Sequence, residues 1–392
     1  GNTIYDNFDR FTGVPFNADV VTQWFDGSPM DDSKVDNCIY LKNKTSLGGG
    51  YSKRNFDGTY KGGWFGILPN SGNISQQLQL AYDLISLFGG GTLLLEAGTY
   101  SFGATVTIRG GVYLDGEGFM QFTPLNNTVA VLLTSPVKTV TALTQTNDLL
   151  SNQTTNTIAN TAILGDFVRY KSTRRFTTDW DNGVEIRPGY VDGEILKIKT
   201  ATSTTLEFEN APFLNFPVST QDGVEFFTPT KGGGINNVDF IGISSTNQNN
   251  YGLILNTWDG FKIGTLRFSN FNVAGLQINK CMNVSWDNIY TIGGTSDLGL
   301  NYGVSINDGS KYINGNNVRA KGCRHVIAGG GTGYAIPMYV DVQNVIGEAS
   351  VSHTADAHGN TAFFTYHNVV GNNGFRLSGI GHRVVKAVIN GG

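Results

Sequence analysis

Charge is what this sequence has least of: Asp, Glu, Lys and Arg make up 15% of 392 residues, with a net charge of −4 and a pI of about 5.7. No basic excess is present to neutralise a phosphate backbone, which argues against a nucleic-acid binder. Long hydrophobic runs are missing too, and nothing approaches the roughly 20 apolar residues of a membrane span. Cysteine is rare. Cys38, Cys281 and Cys323 lie far apart without metal-like spacing, so neither a disulfide framework nor a zinc site is indicated. The start, Gly1-Asn2-Thr3, has no initiator Met and no signal-peptide core, and reads as an excised fragment. Apolar residues nevertheless reach 40%, enough for a core and too many for a disordered chain. Glycine is plentiful, with 52 residues and no Gly-X-Y period; that excludes collagen and fits a body made of many turns.

A repeat organises the C-terminal part. A β-like segment recurs with a small polar residue followed by an apolar one, at Asn237-Val238, Thr265-Leu266, Asn288-Ile289, Asn317-Val318, Asn344-Val345 and Asn368-Val369, in steps of 23 to 29 residues. Around each unit apolar residues alternate with a period near two, as in Met338-Tyr339-Val340-Asp341-Val342. Coils of this length, each holding a few short strands, predict an all-β fold, a right-handed parallel β-helix whose coils stack at roughly 4.8 Å. Asn288, Asn317, Asn344 and Asn368 then form a ladder of side-chain amides that satisfy one another at a turn.

An open solenoid end exposes strand edges and needs a cover. Ile74, Leu78, Ala81, Ile85 and Phe88 follow helical spacing, Asn73 is placed to cap the helix and Gly89-Gly90-Gly91 to stop it. Strands are expected directly after, at 92–95, 99–102, 105–108 and 112–114. Between about 125 and 230 the rhythm fails, and Ile163–Tyr170, Gly193–Ile198 and Thr205–Phe208 suggest a small β-barrel-like insertion. The expected domains are an irregular N-terminal segment (1–70), the capping helix and first coils (71–124), the insertion (125–231) and the main coils (232–392).

The opening Trp64-Phe65-Gly66, the helix, Gly90-Gly91-Thr92 through Tyr100, and Leu114-Asp115-Gly116-Glu117-Gly118 resemble the start of the pectate-lyase-like β-helix of bacteriophage tailspikes. Gly165-Asp166-Phe167-Val168 with Gly193-Glu194-Ile195, and Asp356-Ala357-His358-Gly359-Asn360, resemble an insertion and an Asp-x-His-Gly segment found in that group. The resemblance implies a homotrimer, a place on the virion tail acting outside the host cell, and binding or degradation of a bacterial surface glycan such as capsule, O-antigen or teichoic acid. No cofactor, no nucleic-acid partner and no membrane insertion are expected.

All five histidines (His325, His353, His358, His367 and His382) fall in the last 70 residues. Histidine is the side chain that titrates near neutrality. Counted from the ladder, Asp297, His325, His353 and Arg376 are expected to form a column on consecutive coils, suited to an anionic sugar or phosphodiester. Glycoside hydrolysis needs one carboxyl group as acid and a second as base or nucleophile. Glu348, the only glutamate after residue 230, and Asp356, two residues from His358 and thus on the same strand face, are the expected pair. His358 or His353 would tune one of them. The spacing from His353 to His358 matches no helical zinc motif, and no metal is expected.

Two other chemistries stay open. One is β-elimination on a uronic acid, with His325 or His353 as base and Arg324, Arg376 or Arg383 steadying the carboxylate; the other is phosphodiester cleavage with His and Arg. A purely binding spike is the non-catalytic alternative. The loops 295–303, which holds Tyr302, and 328–333, which Tyr334 directly follows, favour binding groups. Trp258 could stack on a sugar ring if exposed, whereas Trp286 and Tyr366 lie within apparent strands and fit the core.

Overall fold

The structure is a computed structural model and describes residues 17–43, 49–176, 180–181, 184–185, 187, 189–243, 249–293, 300–331 and 333–390. The period-two segments pair in parallel, coil upon coil. One wall, the front sheet, runs through Val106–Thr107, Val131–Thr134, Tyr251–Asn256, Ala274–Asn279, Tyr302–Asn307, His325–Gly329, Ala355–Ala357 and Phe375–Leu377. The other, the long sheet, runs from Thr59–Lys61 through Gly91–Leu95, Lys262–Phe271, Ser285–Gly293 and Lys311–Lys321 to Ala362–Tyr366 and Arg383–Val384. The fold is an all-β solenoid.

Alternation sends every second side chain inward. On the front sheet Leu253, Leu276, Val304, Ile327 and Ala355 lie in register, all fully buried. Each buried aliphatic side chain of this kind contributes about 1.5–3 kcal/mol. In the long sheet Trp286 faces Gly315, where a Cβ would sit 2.0 Å from the indole, so only glycine leaves room for the ring.

The amide ladder forms as expected. Asn317 Nδ2 donates to Asn288 Oδ1 at 2.9 Å, Asn344 to Asn317 at 2.9 Å and Asn368 to Asn344 at 3.0 Å. Asn288 in turn donates to Thr265 Oγ1 at 3.1 Å. The helix Ser75–Leu87 buries Leu78, Ala81, Tyr82 and Ile85 against the first coils. Asn73 Oδ1 accepts the Ser75 N–H at 3.0 Å, and Gly89 and Gly90 leave the helix with positive φ. The N-terminal segment is more regular than its composition suggests. Ala18–Val21, Tyr51–Arg54 and Tyr40–Lys42 form an antiparallel sheet, and Thr59–Lys61 already pairs with Gly91–Leu95 as a rung of the solenoid.

The arrhythmic stretch folds as six antiparallel strands in the order Thr141–Leu143, Gln221–Phe227, Phe167–Arg175, Val191–Ala201, Thr205–Phe208, Thr155–Thr157. Its own core includes Val168, Tyr170, Leu196, Ile198, Phe208 and Phe216. Among the described residues its two edge strands do not pair, so the sheet is open rather than a closed barrel. Val131–Thr134, inside the stretch expected to be inserted, is instead a front-sheet strand between Val106–Thr107 and Tyr251–Asn256.

This subdomain is pinned to the solenoid. Glu194 and Lys311, both buried, form an ion pair at 2.6 Å, and Glu194 also accepts the Phe213 and Leu214 N–H groups at 2.9 and 3.1 Å. Ile336 N–H donates to Gly193 O at 2.9 Å, an approach so close that a Cβ on Gly193 would lie 1.8 Å from the Tyr334 carbonyl oxygen.

Candidate active site

Two segments bound a groove of about 770 Å³: the outer face of the front sheet, and Arg187, Gly189 and Tyr190 of the subdomain that overhangs it. Gln277, Ser305, Asn307 and Ala328 project into it because they alternate with the core-facing residues of their strands, while Tyr302 lines it from the start of its strand and His358 from just beyond Ala355–Ala357. Cavities of this size with a few convergent polar groups are the usual form of ligand sites.

Strand register builds the polar end of the groove. Tyr302 lies opposite His325, and Ala328 opposite Asp356, which lies opposite Arg376. The rings of Tyr302 and His325 stack at 5.5 Å and 7°, and those of His325 and His353 at 6.1 Å and 13°. His325 Nδ1 lies 2.8 Å from the His353 carbonyl oxygen. A carbonyl can only accept, so Nδ1 carries the proton and Nε2 presents its lone pair. Nε2 faces Asp356 Oδ2 at 3.2 Å, and His358 Nε2 lies 3.6 Å from the same oxygen. His325 and Asp356 are both 1% exposed.

Two acceptors facing each other in a buried site need a proton between them. Burial pushes the second protonation of His325 down to about 4, with Arg324, His353 and Arg376 adding to it and the His353 carbonyl opposing it. His353 is lowered as well, by burial and then by Arg376 and Arg324. The Tyr302 hydroxyl is raised by burial; Arg324 Nη1, 3.5 Å away, pulls the other way.

His325, His353 and Asp356 also present ligand atoms within 4.8 Å of one another. Two imidazoles and a carboxylate suit a first-row divalent metal. The charges of Arg324 and Arg376, which reach both histidines, oppose a cation at that point.

Of the expected residues, the fold brings Asp356, His325, His353, His358, Tyr302 and Arg324 together. Arg376 joins them three residues out of the expected column, beside Asp356 rather than beyond His353. Asp297 lies outside the described residues. Glu348 does not join: it ends the long-sheet strand Val345–Glu348, where Arg319 Nε and Nη2 bind its carboxylate. The left-handed turn at Ala349 (φ 50°) then carries the chain round to the other wall, so the Glu348–Asp356 pairing is not formed. Tyr334 sits at the subdomain joint, with Arg169 at 5.3 Å and Lys171 at 4.9 Å from its ring centre.

The carboxylate that does line the groove with this cluster is Asp308. Arg169 Nη1 binds it at 3.1 Å and Lys280 at 3.4 Å, and the Tyr334 N–H donates to it at 3.1 Å. Sequence reading missed it. A second asparagine column, Asn256, Asn279 and Asn307, keeps step with the first ladder and would have placed Asp308 at the rim. Arg187 and Tyr190 carried no signal, because the repeat does not extend into their segment.

No protein-family model matches the chain, and no curated protein sequence matches it. Solved structures do. The tailspike protein gp49 from Pseudomonas phage LKA1 is 20% identical, with a TM-score of 0.60 over 79% of this chain and 51% of that one. The Gp54 tailspike of Acinetobacter baumannii bacteriophage AP22, in complex with A. baumannii capsular saccharide, is 19% identical with a TM-score of 0.61, over 81% and 53%. The tailspike gp61 of Pseudomonas phage phi297 is 14% identical with a TM-score of 0.60, over 86% and 60%. The chain thus spans between half and three-fifths of the length of these structures, and shares the parallel β-helix fold with them.

Proposed function

We propose, from the premise of this tailspike-like solenoid, that the chain is the glycan-recognising body of a phage tail spike and that its groove binds and cleaves a bacterial surface polysaccharide. The observation that carries the reading is the buried Asp356 carboxyl between His325 and His358, with His358, Tyr302 and Arg324 lining a groove of about 770 Å³. A structural neighbour bound to a capsular saccharide supports the ligand class.

In hydrolysis, Asp356 gives its proton to the glycosidic oxygen as the C1–O bond breaks, and His325 Nε2 holds the carboxyl proton in line beforehand. Water adds its hydroxyl to C1 and returns a proton to the Asp356 carboxylate. Asp308, fixed by Arg169 and Lys280, takes the second carboxylate's place in the groove in preference to Glu348. Repeated weak contacts along a rigid wall gain avidity if three copies assemble on the virion.

Elimination is the second reading, favoured by the Arg324–Tyr302 contact, which sets a guanidinium for a uronic carboxylate beside a phenol that can relay the α proton. Incubation with purified capsule, lipopolysaccharide and teichoic acid tests both. Released oligosaccharides with saturated ends support hydrolysis, and an ultraviolet-absorbing unsaturated end supports elimination. Binding without release from any of them removes the catalytic reading.

A further inference from the structure

On the side of the subdomain away from the groove, each coil turns a corner through one residue in the left-handed conformation. Lateral pairing aligns these residues: Gly260, Asn283, Tyr312, Tyr339, Phe363 and Gly381, with φ of 78°, 57°, 56°, 57°, 57° and 68°. Glycine and asparagine are the residues this conformation favours. A Cβ at Gly260 would meet nothing within 4 Å, so the corner opens outward. Three successive aromatic residues there cost about 1–2 kcal/mol each relative to glycine, and the backbone does not demand them.

Phe363 has a structural use, since it packs edge-on against Phe213 of the subdomain at 4.9 Å. Tyr339 does not share that use, and Tyr312 meets the subdomain at its hydroxyl rather than its ring face, accepting from Asn210 Nδ2 at 3.5 Å. Tyr339 stacks flat on Phe363 at 5.1 Å and is 38% exposed, and Tyr312 stacks flat on Tyr339 at 5.4 Å. The coil before Tyr312 offers Asn283, so among the described residues the stack ends there. Beyond it lies a cleft of about 560 Å³, walled by the subdomain's Lys197, Glu209 and Asn210.

We infer that this corner cleft is a second carbohydrate site, taking one pyranose of a neutral stretch of glycan. The apolar C–H face of the ring lies on the π face of Tyr312. Glu209, Asn210 and Asn283 stand around it as acceptors and donors for the hydroxyls. The inference rests on the glycan-binding reading only for the polymer from which the sugar comes.

Saturation-transfer NMR on the full chain tests it, with the methyl pyranosides of glucose, galactose, mannose and N-acetylglucosamine as probes. The expected result is transfer to the ring protons of one face of at least one sugar, retained in Asp356→Asn and lost at least fivefold in Tyr312→Asn. Tyr312→Asn should also raise the thermal midpoint or leave it unchanged, because the corner accepts asparagine at position 283. No transfer from any of the four, equal transfer in Tyr312→Asn, or a lowered midpoint in that variant overturns the inference. Failure of the polysaccharides to be cleaved would instead bear on the groove and leave these readouts intact.

Discussion

His325 Nε2 and Asp356 Oδ2 lie 3.2 Å apart while the other ring nitrogen of His325 already donates to the His353 carbonyl at 2.8 Å. The relationship sets the His325 tautomer and places a buried carboxyl group against its other ring nitrogen. The chemistry proposed for the chain depends on it.

Rate against pH should therefore keep its acid limb low. A second proton on His325, which burial and the neighbouring cations delay until about pH 4, breaks the pair. Cleavage is expected to hold as pH falls from neutrality and to drop through about pH 4. A drop centred near the ordinary histidine value of about 6.5 would mean that His325 is not the group involved.

His382 supplies a separate dependence, of stability. Phe364 N–H donates to its Nδ1 at 3.0 Å and its Nε2 faces the Ser378 carbonyl at 2.7 Å, so the ring is held neutral. Burial lowers its protonation below the free value, with the Ser378 bond opposing. The unfolded chain then binds more protons between the folded value and about 6.5, so this contribution is present above 6.5 and is lost as pH falls through the folded value. Urea melts across that range should show His382→Ala with a shallower acid loss than wild type, and a less stable protein at neutral pH by about 1–3 kcal/mol for the orphaned Phe364 N–H.

Lys311 carries the docking of the subdomain. Lys311→Ala leaves Glu194 buried without its cation and should cost about 3–5 kcal/mol. Chemical denaturation measures it. A loss no larger than that of an exposed lysine would show that the subdomain is held by its other contacts.

Asn317 sits in mid-ladder, donating to Asn288 and accepting from Asn344. Asn317→Ala removes both bonds, for an expected loss of about 1–3 kcal/mol in the same assay.

The ladder was legible because equal steps along a chain become columns in a solenoid, and Asn288, Asn317, Asn344 and Asn368 differ little in loop length. His325 over His353 followed from the same count. Arg376 slipped because the last coil closes the stretch after its ladder residue in fewer residues than the coil before. Glu348 and Asp356 are neighbours in sequence but stand on different walls, since one left-handed residue, Ala349, turns the corner between them. Periodicity gives no hint of such a turn. The Asp308–Arg169 contact spans 139 residues and two folding units, and no local pattern announces it. The cap and the first strands were legible for the opposite reason: their signals are local.

Loss of the acid tests the account most directly. On whichever surface polysaccharide the wild-type protein cleaves, reducing-end release should fall about 10²–10⁴-fold in Asp356→Asn, with binding of the intact polymer retained, while Glu348→Gln keeps the wild-type rate. Full activity in Asp356→Asn, or loss of activity in Glu348→Gln with Asp356→Asn unaffected, would contradict it.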